Sequence, residues 1–404
     1  MIWEAVRVAG TTLRGHPFRT ALTVLSVTIG AFSIVVMMSL AEAGQSTLSR
    51  SIEEVGGMRM IMWIPDDVEE HERAIYDDGL TTGDLNAMRS VPHLAAAAAL
   101  APYGESRVVS RLGKEQDVDV VGVELEVLDL LAWPVVSGRP LMPTDLEDRR
   151  RVAVLTHLVA SDLYGGDAVG QTINLLGKPY VVVGVLEERH PTGLHFGFDW
   201  EQSAFIPLYT AELHEGQSEK NRYVIGRTDD ARNNAQVVAV ANAKLLSRHR
   251  SVEDFQVIDF SRILEEFYKF FLILDALVAL IAGISLFAGG VGVMNIMLVA
   301  VSERVKEIGI RKAVGASRRS ILTQFIVEAS VVSTLGGLVG AAAGLGATAL
   351  AHIAIAQAQE GWVAAYSWRG LLLSLSVTTS IGLTFGAIPA WRASRLDIVE
   401  CLRR

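Results

Sequence analysis

The chain has 404 residues, half of them hydrophobic and only 20% charged, with a mean hydropathy of +0.33, so it is more apolar than an ordinary soluble domain. Its net charge of -9 is unevenly spread, because residues 1–19, 302–320 and 391–404 together carry +8 and residues 42–269 carry -15. That acidic region argues against nucleic acid as a partner, since phosphate recognition needs a basic face. The only cysteine, Cys401, leaves 42–269 without disulfides, and a region of that length must hold by its own core.

Residues 1–19 predict a short amphipathic helix along the cytoplasmic membrane surface. Ile2, Val6, Ala9 and Leu13 recur at helical spacing, Arg7 and Arg14 serve the polar side, and Pro17 ends it. Residues 20–41 contain no Asp, Glu, Lys or Arg and suffice to cross about 30 Å of hydrocarbon. Ala41-Glu42-Ala43 resembles a signal cleavage site, but the apolar run exceeds that of a signal and three more runs follow, so it reads as an uncleaved anchor.

Between the first two spans, residues 42–269 predict a mixed α/β extracytoplasmic domain. Strands are expected at 58–64, 105–111, 116–123, 151–155, 171–175, 180–186, 205–207, 222–226 and 255–260. Leu176 to Pro179 supply the turn of a hairpin, and helices are expected at 82–89, capped by Thr82 or Asp84, at 159–164 and at 231–247. Ser261 is the expected cap of a helix that runs into the second span. Two subdomains, one inserted in the other, fit this alternation. His190 and His195 flank Pro-Thr-Gly-Leu and are followed by Phe196, Phe198 and Trp200; no further ligands lie at metal-site spacing, and a loop packed on its own domain is the simpler reading.

Residues 270–302, 320–351 and 370–391 are the second to fourth spans, separated by a loop at 303–319 and an external loop at 352–369, with a tail at 392–404. The start of the chain, the 303–319 loop and the tail are all basic, so each is placed in the cytoplasm, including both termini. The third span carries Gly336, Gly340 and Gly344 at four-residue spacing, which suits either a dimer seam or a tight contact with a neighbouring span. Asp275 and Glu328 are carboxylates within spans, which makes them functional candidates whose role the sequence leaves open.

Between the second and third spans lies VAVSERVKEIGIRKAVGASRRS, Val299 to Ser320, with six Lys/Arg against two acids. No GxxxxGK[ST] phosphate cradle, HExxH, GxSxG or Cys/His cluster occurs anywhere. The chain is therefore expected to be no enzyme and to bind no cofactor directly. If ATP is used, another subunit must hold it.

The stretch from Met294 to Ile321 closely resembles the permeases of the MacB/FtsX type of ABC transporter. The likeness extends to Gln324–Gly344, Gly386–Arg403, Ser137–Pro140 and Val169–Leu186, and departs from the usual pattern at Trp391 and at Asp397 to Glu400. The resemblance implies four transmembrane helices in a bacterial cytoplasmic (inner) membrane, with a MacB-like periplasmic core: a βαβ-rich porter part and an inserted mainly β part, near 125–215. It implies a cytoplasmic coupling helix that docks on an ABC ATPase subunit holding ATP and Mg. Its further partners are a second permease, identical or different, membrane lipid and, optionally, a periplasmic adaptor. Under that resemblance Glu307, Arg311, Lys312 and Arg318 are expected to make polar contacts with the ATPase and Ile308, Ile310 and Val314 to fill a groove in it. Gly315 would allow the turn before Ser317 caps the third span. The implied function is to couple ATP hydrolysis to movement of the extracytoplasmic domain, for export or mechanotransmission. The alternatives are an FtsX-like activator of a cell-wall hydrolase and a Lol-type lipoprotein-releasing permease.

Overall fold

The computed structural model describes residues 17–66, 79–109, 115–189, 198–215, 222–252, 255–359 and 361–403. Most of the expected surface helix, and His190, His195 and Phe196, lie outside them. The chain divides into two compact units, one formed by Thr47–Phe267 and the other by the remainder.

The unit of Thr47–Phe267 is built on a ten-stranded sheet. In chain order the elements run from the end of helix α1 (Pro17–Glu54) through β1 (Met60–Pro65), α2 (Thr82–Met88), β2 (Leu94–Val109), β3 (Glu115–Val123), α3 (Glu126–Leu130) and β4 (Val135–Gly138). They continue with α4 (Pro143–Glu147), β5 (Val152–Leu155), α5 (His157–Tyr164), β6 (Thr172–Leu175), β7 (Lys178–Leu186), β8 (Ser203–Pro207) and α6 (Leu208–Glu215). Last come β9 (Tyr223–Thr228), α7 (Asn234–Arg248), β10 (Phe255–Asp259) and the start of α8 (Phe260–Glu303). The strand order is β10-β1-β9-β2-β3-β8-β5-β7-β4, with β6 also pairing β7. All neighbours are antiparallel except β3 with β8 and β5 with β7. Strands β4 to β8, from the 125–215 region, thus form one end of the sheet, joined to the rest through the β3–β8 pair.

Alternation along the strands sorts apolar side chains to two faces. Ile61, Trp63, Val118 and Val120 join Leu85, Leu163, Val237 and Leu245 in one core. Met60, Met62, Val121 and Val123 join Ile52, Leu130, Trp200 and Phe260 in the other. Phe198 and Trp200 are buried with their ring centroids 4.4 Å apart and their planes tilted by 59°, so this aromatic pair packs on its own domain. Two caps differ from expectation. Thr81, not Thr82 or Asp84, is the N-cap of α2, and the Asp84 carboxylate reaches back to accept from the Thr81 amide at 2.9 Å and its hydroxyl at 2.6 Å. At the start of α8 it is the Asp259 carboxylate that accepts, from the Ser261 amide and hydroxyl, so the acid two residues earlier does the capping.

The other unit contains α1 up to Ser46, α8 from Tyr268, α9 (Val305–Ala313), α10 (Arg318–Ala358), α11 (Trp368–Arg395) and α12 (Ile398–Arg403). Helices α1, α8, α10 and α11 are long and apolar enough to cross a membrane. Pro17 opens α1, where its missing N–H costs nothing. With 38 and 44 residues, α1 and α8 are about 57 and 66 Å long, well beyond the hydrocarbon thickness.

The spans meet at glycines. Gly336, Gly340 and Gly344 all face α1: a methyl group at Gly336 would lie 3.2 Å from Val27 and one at Gly344 3.0 Å from Val35, while at Gly340 it would strike the Thr28 carbonyl. The Thr28 hydroxyl donates to the Gly336 carbonyl at 3.2 Å. In this structure the stripe is a contact between neighbouring spans of one chain. Gly382 and Gly386 of α11 meet α10 in the same way, at Ser330 and Ala329. Asp275 lies on α8, with one carboxylate oxygen buried and no hydrogen-bond partner among the described residues.

Candidate functional site

The charged stretch between the second and third spans folds as a helix with a defined stop at each end. Arg304 breaks the α8 helix (φ -102, ψ 13) and α9 starts at Val305. At its end, the Gly315 amide donates to the Lys312 carbonyl at 3.0 Å and the Ala316 amide to the Arg311 carbonyl at 3.0 Å. This double bond pattern closes a helix when the residue after the cap takes a positive φ, and Gly315 has φ +108. Ser317 then caps α10, accepting from the Ser320 amide at 3.2 Å.

The residues expected to act together split into two sets. Ile308 is only 2% exposed, packed in one cluster with Val301, Ile321, Phe325, Ala390 and Ala393 from α8, α10 and α11. It is part of the chain's own core and cannot fill a partner's groove. Lys312 is also turned inward: its ammonium donates to the carbonyls of Ser394 and Leu396, both at 2.7 Å. These carbonyls close α11, where a helix leaves acceptors unpaired and a partial negative charge. Burial draws the Lys312 ammonium below its ordinary value, with Arg318 acting in the same sense and Cys401 and Asp397 opposing.

The other set faces outward. Ile310 is 53% exposed and Val314 is 85% exposed, large fractions for aliphatic side chains. Beside them Glu307 and Arg311 pair one helical turn apart at 2.5 Å, and Arg311 also donates to Gln324 at 2.8 Å. Lys306, Arg318 and Arg319 are exposed. The surface thus offers a small apolar centre with a basic surround.

Three features of this site escape sequence reasoning. Arg304 donates to both oxygens of Glu328 at 3.2 and 3.4 Å, and Glu328 is only 1% exposed, so this span carboxylate is half of an internal ion pair. Gly309 faces α12, where a methyl group would lie 2.5 Å from the Cys401 side chain. Helix α12 itself, hung from Asp397, presents Ile398 and Val399, the latter 75% exposed. The pair of Arg304 and Glu328 lies 24 positions apart, and only the two opposite charges hinted at it. Among the described residues no cluster of three His, Cys, Asp or Glu could hold a metal ion.

Comparison with known proteins agrees with this architecture. Residues 20–244 match the MacB-like periplasmic core domain, and residues 279–398 match the FtsX-like permease C-terminal domain. The chain is 31% identical over 404 residues to the uncharacterized ABC transporter permease YknZ of Bacillus subtilis, covering 99% of this chain and 98% of that one. It is 36% identical over 403 residues to the macrolide export ATP-binding/permease protein MacB of Rhodospirillum rubrum, covering 99% of this chain and 60% of that one. The chain therefore spans about three fifths of the length of such macrolide-export relatives. Among solved structures, the periplasmic region of MacB from Actinobacillus actinomycetemcomitans aligns with 55% of this chain and 97% of its own, at TM-score 0.43 and 16% identity. The extracellular domain of YknZ from Gram-positive bacteria aligns with 49% and 99%, at TM-score 0.41 and 21% identity. By both domain matches and by full-length relatedness, the chain belongs to the MacB/FtsX-type family of ABC transporter permeases.

Proposed function

We propose that this chain is the permease subunit of a MacB-type ABC system, and that the exposed face of α9 takes an ATPase subunit on the cytoplasmic side. ATP and Mg are held by that subunit, and its closure displaces α9. Helices α10 and α11 pass the displacement across the membrane, and the extracytoplasmic domain does the work on a client, by export or by direct mechanical action. The observation that carries this reading is the pair Ile310 and Val314. Both lie in the open on a helix closed at both ends, in a basic surround, between two membrane-length helices.

The permease relative matched over nearly its whole length carries no ATP-binding label in its name, whereas the longer relatives are named as ATP-binding/permease proteins. We place the ATPase on a separate polypeptide. The basic segments at 302–320 and 391–404 support a cytoplasmic site for α9 and the tail. A second permease completes the unit, and a periplasmic adaptor is a further partner if the work is export.

Replacing Ile310 and Val314 together with Glu tests the docking. Loss of two buried aliphatics and burial of two charges should cost at least about 3 kcal/mol, a fall of roughly a hundredfold in affinity. Co-purification of the ATPase with the full-length double variant at wild-type yield contradicts the proposal. Orientation is checked separately: a cysteine introduced at exposed Arg150 should react with a membrane-impermeant thiol reagent in intact cells, and labelling only after lysis reverses the assignment.

A further inference from the structure

We infer that Lys312, Arg304 and Glu328 are positioning residues that carry displacement of α9 into α10 and α11, and are not contacts to the ATPase. This inference rests on the docking reading above. The sequence places Lys312 and Arg304 in the same basic stretch as Arg311 and Arg318, where they look like surface charge. The structure separates them. The Lys312 ammonium spends its hydrogen bonds on the Ser394 and Leu396 carbonyls, both at 2.7 Å, at the end of α11. Arg304, at the break between α8 and α9, reaches both oxygens of Glu328 on α10.

The two ties sit at opposite ends of α9, one just before its first turn and one in its last. Between them Ile308 fills the cluster shared by α8, α10 and α11. A helix held in this way has little freedom to slide over its supports. The tie to α10 also involves a group withdrawn from water, since Glu328 is 1% exposed, and the half-buried Lys312 places its ammonium on the α11 carbonyls. Charged contacts in a medium of low dielectric are stronger and more directional than the same contacts on a surface. A push on the exposed Ile310 and Val314 is thus delivered to α10 through Glu328 and to α11 through the carbonyls that close it. Arg311, by contrast, pairs with Glu307 on its own helix and with Gln324 near the start of α10, leaving its helix face outward.

The experiment uses the full-length chain with its ATPase in lipid nanodiscs. Nitroxide labels are placed at exposed Leu350 on α10 and Leu373 on α11, both far along their helices from α9. The distance between them is measured without nucleotide and with a non-hydrolysable ATP analogue. Lys312→Met and Glu328→Gln should each keep the ATPase bound and shrink the nucleotide-dependent distance change to less than half that of wild type. Lys312→Arg, which keeps a cation at the two carbonyls, should restore the change, a rescue that a merely space-filling role would not produce. If Lys312→Met does not accumulate, Lys312→Gln takes its place with the same two outcomes. A full distance change in the Met (or Gln) and Glu328→Gln variants overturns the inference. So does loss of the ATPase from Lys312→Met as complete as from the Ile310/Val314 double variant, because Lys312 would then be a docking residue. Retention of the ATPase by that double variant overturns the docking reading instead, and absence of any change in wild type that holds its ATPase overturns the inference alone.

Discussion

In the extramembrane domain the fully buried side chains are large: Trp63, Phe205 and Phe260 fill two cores on opposite faces of one sheet. Among the spans close approaches fall where a side chain is missing, at Gly336, Gly340 and Gly344 against α1 and at Gly382 and Gly386 against α10. The two regions answer to different solvents. Water drives apolar bulk inward in the domain, whereas lipid is as apolar as leucine and leaves helix association to close van der Waals contact and a few hydrogen bonds. A substitution should therefore harm the domain by removing volume and the spans by adding it.

The largest effect is expected at Gly340. Gly340→Leu drives a branched side chain into the Thr28 carbonyl and Ala31 of α1, and the detergent-solubilised chain should lose its monodisperse peak in size-exclusion chromatography. Gly346→Leu is its control. Among the described residues none lies within 4 Å of a methyl group there, and the peak should be unchanged. A damaged Gly346 variant would break the comparison. Next comes Trp63→Ala, which removes a fully buried ring and the indole N–H that donates to Asn242 at 3.0 Å. Thermal unfolding followed by near-ultraviolet circular dichroism should show about 3–5 kcal/mol lost.

A pH effect of smaller size should be confined to the domain. Burial pushes the Asp84 carboxyl up, but hydrogen bonds from His249, Arg248 and Thr81 outweigh it and hold the group well below the usual carboxylate range. A carboxyl depressed in the folded state stabilises fully above its unfolded value of about 4, and that stability is lost as pH falls through the folded value. Wild type should therefore lose stability steeply between about pH 5 and 2, and Asp84→Asn should flatten that slope while lowering stability at pH 7. An unchanged acid profile in Asp84→Asn would show that Asp84 does not set the acid sensitivity of the domain. The smallest effect belongs to Gly315→Ala, which forces a side chain into φ +108 and should cost about 1 kcal/mol in unfolding experiments.

The same contrast explains what could be read from sequence. Span length, the charge of the loop around Glu307 and Arg311, the stop at Gly315 and the cap at Ser317 are local features, and local rules reach them. Strand β2 shows the limit. Its first half, Leu94 to Ala101, is an alanine run that favours a helix in isolation, yet it pairs β9 on one side and β3 on the other, and the sheet overrides the propensity. The site divides in the same way. Ile310, Val314 and Arg311 face outward as helical spacing allows, but no pattern along the chain tells that Ile308 enters a core or that Lys312 points at the end of α11. Those depend on α11 and α12, some 80 residues further on, as does the close pass of Gly309 and Cys401.

The central claim is that the open face of α9 holds the ATPase. A photo-crosslinking amino acid at Val314, the most exposed aliphatic position of that face, tests it in intact cells with the full-length chain. An adduct is expected with a polypeptide that contains the P-loop motif missing from this sequence, and none when the crosslinker sits at buried Ile308. Crosslinking at Val314 to lipid alone, or an equal adduct from Ile308, would contradict it.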